Sequence, residues 1–150
     1  MISRRTLLAG SAALAAQSAT RFGAAFAEAR FATKLPIPEL IDASARNHAI
    51  SLTAQVGKHE FWPGRPATAL GYSANYLGPT LRLRRGEEIQ FDIGNKIGEP
   101  TTVHWHGMIV PGAVDGGPHN AIAPGGRWRP TLKVDQPAAT VWYHAHLHGA

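Results

Sequence analysis

From Thr80 to Asn95 the sequence reads TLRLRRGEEIQFDIGN, and its apolar residues recur at every second position. Leu81 and Leu83 fall on one side with Arg82 and Arg84 on the other. Ile89, Phe91 and Ile93 repeat the pattern after Gly86. A period of two commits a segment to a strand with one face buried, because successive side chains of an extended chain point to opposite sides. HAISLTAQV (48–56) alternates in the same way, and ATALGYSANYLGPT (67–80) is a strand candidate that stops at Gly78-Pro79. Further strands are predicted in TTVHWHG (101–107), RWRPTLKVD (127–135) and TVWYHAHLHG (140–149). Pro130 limits the second of these to an edge or a bulge, and Gly94-Asn95 reads as a bend. No helical periodicity follows residue 27. The fold class is therefore all-β, a sandwich or Greek-key barrel.

Residues 1–27 read as an export signal. Arg4 and Arg5 stand side by side ahead of the apolar run LLAGSAALAA, and Ala25-Phe26-Ala27 offers a small-x-small cleavage site before Glu28. The paired arginines favour export by the twin-arginine machinery to the periplasm. The apolar run is short and alanine-rich, which argues against a membrane anchor. The formal net charge is +5, and this segment carries three arginines and no acid, so the remainder carries about +2. Such a balance gives no support for nucleic-acid binding, which shows a concentrated basic patch. Residues 28–40, with Pro36 and Pro38, read as an extended lead-in to a single domain over 28–150.

His104 and His106 stand two apart in strand context, and His144 and His146 repeat the arrangement. On a strand, such residues share a face with Cα atoms roughly 6.5–7 Å apart. Two imidazoles held this way can chelate one metal or reach two different ones. If the two strands are neighbours, four imidazoles converge, and each ring needs a polar partner for its nitrogens. Imidazole suits zinc, copper, iron and nickel alike. With no cysteine in the chain, no thiolate ligand is available. His48 and His59 read as surface or strand-edge residues. The long Gly/Pro-rich stretch 107–126 is of a length that is functional or disordered. Within it Asp115 is either a turn residue before Gly116-Gly117 or an acid facing the histidines.

HWHG, VDGGP and WYHAHLHG, in this order and spacing, resemble the N-terminal cupredoxin-like (plastocyanin-like) domain of multicopper oxidases. LPIPELIDASARNH, GYSANYLGPTLRLRRGEEIQF and VDQPAAT are most similar to the periplasmic cuprous oxidases of bacteria, with bacterial laccases close behind. The resemblance covers roughly residues 35–150 and implies a cupredoxin-like Greek-key sandwich or barrel. It also implies copper. In the family, electrons from cuprous ion or a phenolic reductant enter at a blue copper and pass to a three-copper cluster that reduces dioxygen to water. By position, His104 would serve the lone copper of that cluster, His106 one member of the coupled pair, and His144 and His146 one copper of that pair each. Asp115 falls where the family carries an acid that helps deliver protons. His148 would back a ligand or line the pocket, and His119 would lie at the surface.

The chain carries four of the family's eight cluster histidines and none of its blue-copper ligands. It ends one residue past HLHG, so the expectation is a domain lacking its last strand or strands, inactive by itself. The alternatives are a periplasmic copper carrier using the half-site alone, a copper-free scaffold of the cell-division type, and a zinc hydrolase. The four retained histidines speak against the scaffold, and Asp115 alone is a thin acid complement for the hydrolase.

Overall fold

The computed structural model describes residues 35–147. The export signal, the lead-in residues 28–34 and His148 lie outside the described residues. Nine strands run in order: β1 (Leu40–Asp42), β2 (Ala49–Trp62), β3 (Arg65–Tyr72), β4 (Thr80–Arg82), β5 (Glu88–Asn95), β6 (His104–His106), β7 (Arg127–Trp128), β8 (Thr131–Lys133) and β9 (Trp142–His144). Three short 3-10 turns sit between them, and no α-helix occurs among the described residues. No helix there is long and apolar enough to cross a membrane. The all-β expectation holds.

The central sheet is ordered β3-β2-β5, with β7 and β8 both on the far edge of β5. β2 and β5 are parallel, with Ile50 paired to Phe91 and Leu52 to Ile93. This register places both alternating apolar sets on one face, where Ile50, Leu52, Ile89, Phe91 and Ile93 are buried. Leu132 of β8 sits opposite Ile89 and completes the layer. Truncating any of these large aliphatics to alanine costs about 2–5 kcal/mol, because the cavity left behind closes only partly. A second, two-stranded parallel sheet joins β1 to β4. From it Leu81, and Leu83 just beyond, pack against the core, while the Arg84 guanidinium spans both carboxylate oxygens of Asp42 at 2.7 and 2.8 Å.

Three expectations need correction. RWRPTLKVD is two strands, not one: Pro130 has no N–H for the ladder, so pairing breaks there, and its carbonyl accepts the Phe91 N–H at 2.9 Å. Gly94-Asn95 is no bend, since Gly94 pairs with both Thr53 and Arg127. The Asn95 side chain is buried and donates to the carbonyls of Glu99 and Ile122 at 2.9 and 2.8 Å. Its oxygen accepts the Ile97 N–H, so it stitches the end of β5 to the next loop. Finally, β3 stops at Tyr72. Ser73 and Leu77 adopt positive φ (53° and 58°), and the loop between them closes with the Tyr72 N–H donating to the Leu77 carbonyl at 2.6 Å before Gly78-Pro79.

Two phenols tie the sheets together. Tyr72 donates to the Thr102 carbonyl at 3.1 Å and Tyr143 to the Pro79 carbonyl at 2.8 Å. Burial disfavours the phenolate, pushing Tyr72 up to about 12 and Tyr143 higher still. The folded chain thus holds these protons more tightly than the unfolded chain, whose tyrosines titrate near 10. Their contribution is complete below about pH 10 and is lost as pH rises toward 12, by about 2–3 kcal/mol for Tyr72. Denaturant midpoints followed from pH 9 to 12 check this. The fall should shrink in the Tyr72→Phe variant, and an unchanged fall would contradict it.

Candidate metal centre

β6 and β9 form a short antiparallel ladder that pairs His104 with His144, Trp105 with Tyr143 and His106 with Trp142. Alternation then separates two faces. Trp105 points inward, buried, with its ring 4.5 Å from that of Phe91. The histidines point outward together. One nitrogen each from His104, His106 and His144 lies within 4.8 Å of the others. The His146 ring centroid is 5.0 Å from that of His104 and 5.8 Å from that of His144. Both HxH pairs therefore meet, although 38 residues separate His106 from His144. Trp142, 59% exposed, stacks its indole on the rings of both His106 and His144.

Hydrogen bonds fix the tautomers. Nδ1 of His104 lies 2.9 Å from the Asp115 carbonyl oxygen, which can only accept. That nitrogen carries the proton, and Nε2 keeps a free lone pair. Nδ1 of His144 is likewise held by the Ala145 carbonyl at 2.7 Å. Its Nε2 therefore accepts from Nδ1 of His106 at 3.1 Å. A cation bound at His144 Nε2 would replace that hydrogen bond, with His106 keeping its proton on one ring nitrogen and offering the lone pair of the other. An uncharged donor set of neutral imidazoles, each backed by a carbonyl or another ring, fits a borderline transition metal such as copper.

The 107–126 loop positions the acid. Main-chain bonds between Thr101 and Ile122 at 3.1 and 2.7 Å clamp its far end. A 3-10 turn over Gly112–Val114 delivers Asp115, whose carbonyl accepts the Trp105 N–H at 3.2 Å as well as the His104 ring. The Asp115 carboxylate lies 3.4 Å from His104 Nδ1 and is partly open to solvent. Gly116 follows at φ +78°, packed against the backbone of β6. Asn120 secures the bend, accepting the Gly116 N–H at 3.1 Å and donating to the Ala113 carbonyl at 3.0 Å.

Among the described residues, the other histidines are not part of this group. His119 is exposed, its Nε2 2.6 Å from the Gly112 carbonyl. His59, on the part of β2 that pairs only with β3, stacks on Tyr76 with centroids 4.6 Å apart. His48 lies 3.7 Å from Glu87. Thr102 and Asn120 were not singled out by sequence reasoning. For Asn120 a signal existed, since a long loop that returns to a strand needs a side chain to satisfy its turns.

A profile of the family described as multicopper oxidase matches residues 53–150. A multicopper oxidase of Staphylococcus aureus is 41% identical over 116 residues, spanning 75% of this chain and 26% of that protein. The cell division protein FtsP of Escherichia coli is 37% identical over 112 residues, spanning 75% and 24%. Among solved structures, a laccase-like multicopper oxidase, CueO, from Ochrobactrum superposes with a TM-score of 0.73 at 45% identity. It covers 77% of this chain and 26% of that one. The chain thus spans about a quarter of the length of the relatives it matches. With a family profile over most of the chain and a relative above 40% identity, the chain belongs to the multicopper oxidase family.

Proposed function

We propose that this chain supplies the copper-binding face of an exported oxidase, with His104, His106, His144 and His146 as half of the ligands of a three-copper cluster. The carrying observation is the convergence of three imidazole nitrogens within 4.8 Å, with His146 beside them. Held by such a set, copper would supply one-electron redox chemistry, linking a reductant such as cuprous ion or a phenol to dioxygen. The chain's own part is to hold the rings in fixed tautomers and to bring a proton donor near. The Asp115 carboxylate, 3.4 Å from His104 Nδ1 and open to solvent on one side, suits proton delivery, which the formation of water requires. The other four cluster histidines, and the cysteine of a separate blue-copper site, would come from outside these 150 residues. The paired arginines Arg4-Arg5 support periplasmic delivery by the twin-arginine machinery.

The test is a chimera in which residues 35–147 replace the matching segment of the Ochrobactrum oxidase. Oxygen uptake with cuprous ion or a phenol is expected, and His104→Ala in the chimera should abolish it. A folded, copper-loaded chimera without uptake would favour the copper-carrier reading instead. The chain by itself should show no intense blue thiolate–copper absorption, since it has no cysteine.

A further inference from the structure

The β6–β9 ladder ends at His104 and His144, yet continuing its register by two positions sets Thr102 opposite His146. The Thr102 carbonyl is occupied by the Tyr72 phenol. Its hydroxyl accepts the backbone N–H of His146 at 2.6 Å. A side chain thus replaces the ladder bond at the point where the second histidine pair leaves β9. Thr102 is fully buried, so its hydroxyl has little freedom to be elsewhere. The geometry points to Thr102 as a positioning residue: its hydroxyl sets where His146 stands relative to His104, and so whether the fourth imidazole reaches the metal.

His104 is anchored through its ring to Asp115 and His144 to Ala145. For His146 the main-chain anchor at Thr102 does the corresponding work. Without it, the segment after β9 is free to carry the ring away while the other three histidines stay in place. A hydroxyl is needed and its methyl is not, so serine should serve and isosteric valine should not.

This inference rests on the copper reading above. Two measurements on the full chain test it. In the metal-free protein, exchange of the His146 amide proton should be slowed in wild type and T102S, and faster by about tenfold or more in T102V. Cupric-ion affinity, read by competition with a chelator, should fall about 10- to 100-fold in T102V, the range expected when a group supporting a ligand is lost, and recover in T102S. His146→Ala should weaken binding as much, and adding T102V to it should weaken it no further.

Copper binding absent from wild type would overturn the copper reading and this inference with it. Copper bound with equal affinity by wild type and a folded T102V, while His146→Ala weakens it, would overturn the role of Thr102 alone. Should T102V not fold, the wild-type amide decides, because exchange of His146 at the rate of an unstructured chain removes the anchor.

Discussion

Gly116→Ala is expected to destabilise the chain by about 3 kcal/mol or more and to dislocate the metal-binding face. Two effects add. At φ +78° an L-residue pays about 1–2 kcal/mol for the left-handed backbone. A Cβ there would also overlap the Val103 carbonyl and stand 2.9 Å from the Cα of His104. Both are backbone atoms of the segment carrying His104 and Trp105, so relief comes only by moving β6, and overpacking of that kind costs about 1–3 kcal/mol. Gly98→Ala is the control, since nothing lies within 4 Å of its Cβ position. Denaturant midpoints of the two variants decide the matter, and a Gly116→Ala protein as stable as Gly98→Ala would contradict the close approach.

The second large effect concerns His144. Replacing it by alanine should weaken cupric binding at least about 100-fold, because loss of a supporting group alone costs 10- to 100-fold and His144 is a ligand itself. It also removes the acceptor for His106 Nδ1, so one substitution disturbs two of the three converging nitrogens. His119→Ala, outside the converging nitrogens and tied to Gly112, should leave affinity unchanged. Chelator competition separates the two, and equal losses in both variants would mean that copper binds elsewhere.

Sequence and structure agree where a strong local rule operates. The alternation of Ile89, Phe91 and Ile93 was readable because a strand with one buried face allows no other pattern. Trp105 turns inward because strand alternation sets it opposite in facing to His104 and His106 on either side of it. What spacing could not show was long-range pairing. Nothing in the 38-residue separation of His106 and His144 says that β6 and β9 are neighbours, nor that a loop of 3-10 turns brings Asp115 back to His104. The misreading at Gly94-Asn95 has the same origin. Those residues favour turns when their side chains act locally, but Asn95 spends its amide on Ile122, 27 residues away. Thr102 passed unnoticed for that reason too, its hydroxyl serving a residue 44 positions on.

The central claim is that imidazoles from both strands converge closely enough to hold copper together. Pulsed electron paramagnetic resonance of this chain with one equivalent of cupric ion tests it most directly, by counting coordinated imidazole nitrogens. The geometry of His104, His106 and His144 predicts at least three, falling by one in each of the His104→Ala and His144→Ala variants. A spectrum with one imidazole or none, or one unchanged by both substitutions, would contradict the account.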